Sequence, residues 1–505
     1  MKDAVTKLKD HMKKIEQYQT IENLLYWDLA TMTPEKGVDS KAEAIGYFST
    51  EAFRLSTSEE YGALLKELSS PENYETLDDA IKVTVRRELR DYERFCRVPE
   101  DFYTEYVTLK ARSQRSWEMA KKASDFSIYA PYLDKIIQMT KQYVRYMEPD
   151  QKPYEVLLDM FEEGIDSQTI DRLFQELKEG LRPLLKKIQE AGQPDLSALK
   201  GNYPVSGQKK VQDMLLSYMG FDFTKGTTAE SEHPFTSEIG SGDIRITNHF
   251  REDDPLAAIF SAIHEGGHAI FDQNISSSYE HTAVMQVNMM GLHESQSRFY
   301  ENILGRNPNF WVPVYDKLEE LLPDFRKIPF DTFCRAINAV QPSMIRIDAD
   351  EVTYCLHIIL RYEIERAIFN DEVTTEELPG LWNDKMEELL GIRPSCDAEG
   401  VLQDTHWSDG SFGYFPSYLL GSVYDGMFLE AIEKDLGSID QLLSQGRIME
   451  ITGWLNTNIH QYGSLYTSRE VVQRLCGKEI SARPLLDHFY KKYAEIYSFS
   501  PSEIN

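Results

Sequence analysis

Two histidines stand four residues apart in the segment SAIHEGGHAIFD, residues 261–272. Because an α-helix completes a turn in about 3.6 residues, His264 and His268 would project from the same face, one turn apart. Two imidazoles in this arrangement can bind one divalent metal ion, and Glu265 beside them can accept a proton from a water molecule at the metal. The apolar residues that lead into the motif, 256–263, favour the helix that this chemistry requires.

A third metal ligand is expected in the later segment GLHESQSRFYEN, residues 291–302. Glu294 lies 26 residues after the second histidine, among apolar residues such as Leu292 and Phe299. A buried carboxylate costs free energy unless it binds a metal or another partner. We therefore predict Glu294 as the third ligand, with one position left open for water. His293 is a competing ligand that this spacing does not exclude.

Gly266 and Gly267 separate the two histidines, although each interior glycine costs a helix roughly 1 kcal/mol relative to alanine. We expect them to leave the helix surface bare beside the metal. A neighbouring element or the main chain of a substrate could then approach closely. On this interpretation, Gly267→Leu keeps the fold but impairs activity.

The composition argues against two classes of partner. The chain has 505 residues, of which 41% are hydrophobic, and a formal net charge of −29. Because nucleic acids and anionic membranes bind basic surfaces, we expect neither as a partner. No segment reaches the roughly 18 consecutive apolar residues of a membrane span. The five cysteines are scattered without CxxC spacing, which is typical of a reducing cytoplasm, the predicted location.

Helical periodicity dominates the chain, as in the segment 170–184, which keeps one apolar face. No Gly/Ser-rich or Pro-rich linker divides the sequence, and this favours one large helical domain. The exception is SGDIRITNHF, residues 241–250, in which apolar and polar residues alternate as in a β-strand. A strand in a helical protein is expected to pair with a small sheet or with a bound peptide.

Six short blocks follow one another along the chain, and they are far more specific together than the HEGGH motif alone. They are HPF (233–235), DIRIT (243–247), HEGGH (264–268), HESQ (293–296), IRIDAD (345–350) and GVLQDTHW (400–407). In this order they resemble the thermostable carboxypeptidases typified by carboxypeptidase Taq. The N-terminal segment LLYWDLATMTPEKG (24–37) also resembles that family, so the resemblance covers nearly the whole chain.

The resemblance implies a single domain, residues 1–505, that is almost wholly α-helical with a small β-sheet lining a deep active-site cleft, as in zinc peptidases of the neurolysin type. Residues 1–200 would form mainly the helical wall and cover, and residues 201–505 would carry the zinc site. It also implies a homodimer that releases single C-terminal amino acids from peptides, with broad specificity and poor acceptance of terminal proline. The alternatives are a metallo-oligoendopeptidase with the same zinc site and a binding scaffold without catalysis.

The roles of the site residues follow from this chemistry. One Zn²⁺ per subunit, for which Co²⁺ could substitute, would be held by the three predicted ligands. Glu265 would act as general base and then as general acid. The tetrahedral oxyanion needs a donor besides the metal. His406 and Tyr418 have a spacing similar to the pair that serves this purpose in neurolysin-type peptidases, and Tyr414 is the alternative.

An enzyme that removes terminal residues must recognise a free carboxylate, and arginine does this best because its planar fork binds both oxygens. Arg346 in the IRIDAD block is the first choice. Its neighbours Asp348 and Asp350 are expected to hold its orientation or that of a ligand histidine. Arg245, in the predicted strand, is the second candidate.

The predicted strand supplies the remaining substrate-binding candidates. Its backbone from Asp243 to Thr247 could pair with an extended peptide by strand addition, which would explain why a helical protein contains a strand. Asp243 and Thr247 are therefore predicted to contact the substrate, together with His233 of the HPF block.

Overall fold

The computed structural model describes residues 2–194, 196–287 and 289–504, and most of them lie in α-helices. The first ten helices are α1 (Lys2–Thr31), α2 (Val38–Ser56), α3 (Glu59–Ser69), α4 (Pro71–Tyr74), α5 (Asp79–Cys96), α6 (Glu100–Ala123), α7 (Ala130–Met147), α8 (Pro153–Phe161), α9 (Ser167–Ala191) and α10 (Val205–Met219). The others are α11 (Pro255–Gln273), α12 (Met290–Arg298), α13 (Pro308–Trp311), α14 (Tyr315–Leu321), α15 (Phe330–Ala336), α16 (Glu351–Phe369), α17 (Leu378–Leu390), α18 (Phe415–Leu436), α19 (Ile439–Ser444), α20 (Ile448–Asn458), α21 (Ser468–Cys476) and α22 (Arg483–Tyr497). The predicted helical fold with a small sheet is confirmed.

The sheet has three strands, β1 (Gly226–Glu230), β2 (Phe235–Gly240) and β3 (Asp243–Asn248). Their order across the sheet is β1-β3-β2, with β1 parallel and β2 antiparallel to β3. A tight turn joins β2 to β3, and Gly242 adopts there the left-handed backbone conformation (φ +77°) that glycine tolerates without strain.

The strand predicted within residues 241–250 is therefore β3, the central strand of the sheet. Because β1 and β2 occupy its two edges, its backbone has no free edge for a peptide, and the expectation that Asp243–Thr247 pairs with substrate is wrong. The strands that have an edge not paired to another strand are β1 and β2. Helix α1 packs against β2, where the side-chain amide of Asn23 donates to the carbonyl of Glu238 at 2.9 Å.

Helix α11 carries the HEGGH motif and is buried along most of its length. Asp254 caps its start by accepting from the backbone N–H of Ala257, and Pro255 occupies the first turn, where its missing N–H is not needed. The predicted helix around both histidines is confirmed. Helix α12, which carries Glu294, packs against α11 and continues into a π-helical segment, Phe299–Gly305.

The two glycines of HEGGH allow two other helices to approach α11. A Cβ atom at Gly267 would lie 2.6 Å from the carbonyl oxygen of Gln296 and 2.7 Å from Cα of Ser297, both in the backbone of α12. The atoms nearest to a Cβ atom at Gly266 would be side-chain ends of Leu216 and Met219 in α10. The neighbouring element is therefore α12 and not a substrate, which contradicts the expectation that Gly267→Leu would keep the fold.

Apolar side chains form two separate cores. The main core extends from Tyr106 to Ile504, and a smaller one joins α1, α3 and α5, from Ala4 to Val85, to Ala283. None of the helices in the described residues is long and apolar enough to cross a membrane.

We predict that Gly267→Ala lowers the free energy of unfolding by about 1–3 kcal/mol, because the new methyl group must push the α12 backbone away. Gly266→Ala is the matched control, since it meets flexible side chains and also gains helix propensity. Urea denaturation of both variants measures the difference. Equal stability of the two would contradict the inferred contact between α11 and α12.

Candidate metal centre and active site

His264, His268 and Glu294 converge on one point between α11 and α12. Each residue offers one ligand atom, and these atoms lie within 4.8 Å of one another. Oε2 of Glu294 is 3.8 Å from Nε2 of His264 and 3.4 Å from Nε2 of His268. Two imidazole nitrogens and a carboxylate oxygen are a typical donor set of a catalytic zinc site, in which a fourth position remains open.

His293, the competing third ligand, is directed elsewhere. Its Nε2 is 3.0 Å from a carboxylate oxygen of Asp272, and its ring stacks on the ring of His268 with centroids 4.4 Å apart. It thus packs against a ligand histidine rather than joining the group that His264, His268 and Glu294 form. Of the two alternatives that the sequence left open, the structure brings Glu294 to the histidines.

Glu301 orients His264, and the sequence analysis missed it. Nδ1 of His264 is 2.9 Å from Oε2 of Glu301, a contact that leaves Nε2 facing Glu294. A carboxylate behind a ligand histidine fixes its tautomer and orientation. The spacing in the sequence could have indicated Glu301, because it follows Glu294 by seven residues, close to two helical turns.

The charges at this point fit a divalent cation. Burial favours the neutral form of Glu294, but Arg298 and His264 outweigh it and hold the pKa of this carboxyl well below its usual range. Burial disfavours the charged form of His264, yet Glu294 and Glu301 outweigh it and raise its pKa to about 9. The carboxylates thus hold a proton on a buried imidazole. A bound metal ion would supply the same positive charge, so the residues present fit it.

Glu265, the predicted base, is 8% exposed and lies next to the sheet. The hydroxyl of Thr236, on β2, donates to its Oε2 at 2.7 Å. This contact fixes the carboxylate beside the predicted ligands. The sequence analysis missed Thr236, because nothing in the local sequence indicates that β2 lies against α11.

His406, Tyr414 and Tyr418 form one aromatic cluster. Nε2 of His406 is 3.3 Å from the hydroxyl of Tyr418, and the rings of the two tyrosines lie 5.1 Å apart. Burial lowers the pKa of His406 to about 4, so its imidazole is neutral at neutral pH. Burial, together with the charge of Glu294, raises the pKa of Tyr414 to about 12. Burial also raises the pKa of Tyr418 well above its usual value, so both hydroxyls remain proton donors.

Arg346 is buried, and its partner differs from the expected ones. Its Nε and Nη2 donate to Oδ1 of Asp404 at 3.1 and 2.8 Å, and its Nη1 donates to the hydroxyl of Tyr354 at 3.0 Å. Asp350 instead caps α16 by accepting from the backbone N–H groups of Val352 and Thr353. The prediction that Asp350 orients Arg346 or a ligand histidine is therefore wrong, since its carboxylate is used to start a helix.

A second buried arginine shares Asp404. Nε of Arg361 donates to Oδ2 of Asp404 at 2.7 Å, so one carboxylate lies between the two guanidinium groups. Burial lowers the pKa of Arg361 to about 10, with Arg346 adding to the decrease and Asp404 opposing it. The cluster of Arg346, Arg361 and Asp404 therefore carries an excess of positive charge.

The other substrate-binding candidates lie around the sheet. Arg245 donates through Nε and Nη2 to the two carboxylate oxygens of Asp243, at 2.8 and 2.7 Å. The two residues form a bidentate ion pair in which their charges balance. Thr247 is fully buried and accepts from Ser231 within the sheet, so the prediction that it contacts substrate is wrong. His233 is exposed at the turn before β2.

The comparisons with known proteins agree with this geometry. A family model described as carboxypeptidase Taq (M32) metallopeptidase matches residues 7–493. The chain belongs to this family. Its members are metallocarboxypeptidases, which agrees with a group of residues able to hold a metal ion. The resemblance inferred from the six sequence blocks is thus confirmed.

Relatives in the M32 family match the chain over almost its full length. It is 42% identical to carboxypeptidase 1 of Bacillus subtilis (strain 168), over 97% of each chain. It is 35% identical to thermostable carboxypeptidase 1 of Thermus thermophilus, over 98% of this chain and 99% of the relative. The crystal structure of an M32 carboxypeptidase from Deinococcus radiodurans R1 superposes with a TM-score of 0.95 at 30% identity, covering 98% of this chain and 100% of that one.

We predict that Glu301→Gln weakens metal binding about 10- to 100-fold, because His264 loses the carboxylate that orients it. The measurement is competition with a chromophoric zinc chelator. Glu320→Gln, which alters an exposed carboxylate paired with Lys317, is the control and should bind metal as the unaltered protein does. Equal metal affinity of both variants would contradict the role of Glu301.

Proposed function

We propose that this metallocarboxypeptidase uses zinc to release single C-terminal amino acids from peptides, with broad specificity and poor acceptance of terminal proline. The observation that carries the proposal is the convergence of His264, His268 and Glu294 within 4.8 Å, next to the buried carboxylate of Glu265. Two nitrogens and one carboxylate oxygen suit one Zn²⁺ per subunit, and Co²⁺ accepts the same ligands.

Glu265 is proposed as general base and then general acid. When bound, zinc supplies a Lewis acid and lowers the pKa of a water molecule to about 7. Glu265 would accept a proton from the attacking water and later donate it to the leaving amine. The hydroxyl of Thr236, 2.7 Å from Oε2 of Glu265, would hold the carboxylate in place between the two transfers.

His406 and Tyr418 are proposed to stabilise the oxyanion that forms on the peptide carbonyl, with Tyr414 as the alternative. Their mutual contact at 3.3 Å supports a joint role for His406 and Tyr418. The raised pKa of both tyrosines keeps their hydroxyls protonated at neutral pH. Buried, fixed donors stabilise a developing negative charge more strongly than water does.

Arg346 is proposed to bind the terminal carboxylate of the substrate. Its contacts with Asp404 and Tyr354 use three of its five N–H groups, which leaves two for a ligand. The excess positive charge that it shares with Arg361 also favours an anion at this point. Arg245 is the weaker candidate, because Asp243 alone balances its charge.

The peptide main chain is proposed to lie along β2 rather than β3. Unlike β3, β2 has an edge that is not paired to another strand, and the contact of Thr236 with Glu265 supports this choice. A peptide that adds to such an edge gains main-chain hydrogen bonds that do not depend on its side chains. This mode of binding supports broad specificity.

Further expectations concern assembly and location. We propose a homodimer, as the family resemblance implies, with peptides as substrates. The thiols of Cys334 and Cys355 are buried and unpaired, which supports the proposed cytoplasmic location. We also retain the proposal of a single catalytic domain in which residues 201–505 carry the metal ligands and residues 1–200 contribute the wall and cover.

Product analysis distinguishes this function from an oligoendopeptidase with the same metal centre. A peptide with a free C-terminus should lose single residues in sequence, whereas the same peptide with an amidated C-terminus should remain intact, because it lacks the carboxylate that Arg346 would bind. Mass spectrometry over a time course follows both. Internal cleavage of the amidated peptide would overturn the proposal.

Glu265→Gln should bind zinc with unchanged affinity and lose roughly 10³-fold in kcat on an N-blocked dipeptide, because the amide cannot accept a proton. Glu320→Gln serves again as the control and should retain activity. The metal content of the purified variants separates loss of the base from loss of the metal. Activity of Glu265→Gln within tenfold of the unaltered enzyme would remove Glu265 from the mechanism.

A further inference from the structure

Two buried residues join the metal centre to the proposed carboxylate-binding arginine. Nε of Arg298 donates to Oε1 of Glu294 at 2.7 Å. The guanidinium of Arg298 lies over the ring of Tyr354, 3.9 Å from its centroid. The hydroxyl of Tyr354 then accepts from Nη1 of Arg346 at 3.0 Å. A continuous set of direct contacts thus runs from a predicted metal ligand to Arg346.

All four side chains are held in the interior. Glu294, Arg298, Tyr354 and Arg346 are each 7% exposed. Interactions between charged groups are strong in such surroundings, because little water screens them. Close-packed side chains also transmit a displacement to their neighbours instead of absorbing it.

Tyr354 is the one member of this path that contacts both arginines. Its ring supports Arg298, and its hydroxyl holds Arg346. It lies in the first turn of α16, and its backbone N–H donates to the carbonyl of Asp350 at 2.8 Å, close to the turn that carries Arg346. Arg346 and Tyr354 are therefore fixed to the same short piece of chain.

We propose that Tyr354 is a positioning residue that couples recognition of the substrate's terminal carboxylate at Arg346 to the placement of the metal ligand Glu294. This inference rests on the proposed function, in which Arg346 binds the carboxylate. A carboxylate bound by Arg346 fixes its guanidinium, and the contacts through Tyr354 and Arg298 fix Glu294 in turn. Peptides with a free C-terminus thereby complete the metal centre that cleaves them.

Coupling between two binding sites is reciprocal. If a carboxylate at Arg346 strengthens the hold of Glu294 on the metal, the metal must strengthen carboxylate binding by the same factor. Coupled sites commonly change each other's affinity at least about fivefold, so we expect a factor of roughly five here. Tyr354→Phe should abolish most of it, because the variant keeps the ring under Arg298 and loses only the hydroxyl that holds Arg346.

The experiment measures Zn²⁺ affinity by competition with a chelator, without and with saturating 3-phenylpropanoate. The probe is a monocarboxylate with an apolar chain and no second chelating group. In the unaltered protein the carboxylate should tighten Zn²⁺ binding about fivefold. In Tyr354→Phe the factor should fall below twofold, while the Zn²⁺ affinity without carboxylate stays within twofold. The neutral analogue 3-phenylpropanamide should have no effect on either protein.

Kinetics give a second readout that a purely structural role would not change. Tyr354→Phe should raise KM for an N-blocked dipeptide about tenfold and change kcat by less than threefold, since Arg346 is less well held while Glu265 is untouched. Tyr61→Phe is the matched control. It also removes one buried hydroxyl, which donates to Glu88 at 2.9 Å in the small core of α1, α3 and α5, so it should alter neither coupling nor KM.

Two outcomes would overturn the coupling. One is the absence of any effect of 3-phenylpropanoate on Zn²⁺ affinity in the unaltered protein. The other is an undiminished effect in Tyr354→Phe, which would indicate that the carboxylate acts by binding the metal itself. The variant Arg346→Lys distinguishes a failure of the coupling from a failure of the proposed function. If that variant leaves KM for carboxylate-ended substrates unchanged, the assignment of Arg346 is wrong, and not only its coupling to Glu294.

Discussion

The contact between the backbones of α11 and α12 at Gly267 is the constraint on which the metal centre depends. It sets the distance from the two histidines of α11 to Glu294 of α12. Helix α18 packs closely against α12 from another side. A Cβ atom at Gly421 would lie 3.0 Å from the backbone nitrogen of Ser295. Glycines thus determine how closely the three helices approach, and the side chains of the proposed metal ligands take their positions from that approach.

The buried charges divide the active site into two regions of opposite sign. At the candidate metal centre, Glu294 pairs with Arg298 and Glu301 with Arg306, and Glu265 adds a third carboxylate, which Thr236 holds. The cluster around Asp404 has the opposite imbalance, with two arginines for one carboxylate. Since an uncompensated charge in the interior is costly, the first region favours a cation and the second an anion. A metal ion and a peptide C-terminus are ligands of those signs.

Local spacing in the sequence was sufficient for the residues that share one helix. His264, Glu265 and His268 needed only the helical repeat, and Glu294 followed from a carboxylate in an apolar segment. Asp404 could not be found in this way, because it lies 58 residues from the arginine that it holds. Thr236 was missed for the same reason, since it meets Glu265 only through the packing of the sheet on α11.

Two predictions, the role of Asp350 and the free edge of β3, were wrong although the local sequence contained signals against them. Asp350 precedes a long apolar-rich helix and has the position of an N-cap, which competes with any role in orienting Arg346. The strand β3 was recognised by its alternation, but β1 reads GTTAE and has no apolar face of its own. When the neighbouring strands are not recognised in the sequence, a central strand cannot be distinguished from a strand with an unpaired edge. The sequence therefore predicted a strand correctly and its place in the sheet wrongly.

The small core of α1, α3 and α5 has a consequence for the order of β2, the strand along which the substrate is proposed to lie. It is linked to the main body in part through Arg87, whose guanidinium donates to the backbone carbonyl of Ser464 at 2.7 Å. Local opening of this N-terminal unit would separate α1 from β2 and remove the hydrogen bond from Asn23 to the carbonyl of Glu238. By staying docked, α1 limits the motion of the strand that borders Glu265, the proposed general base.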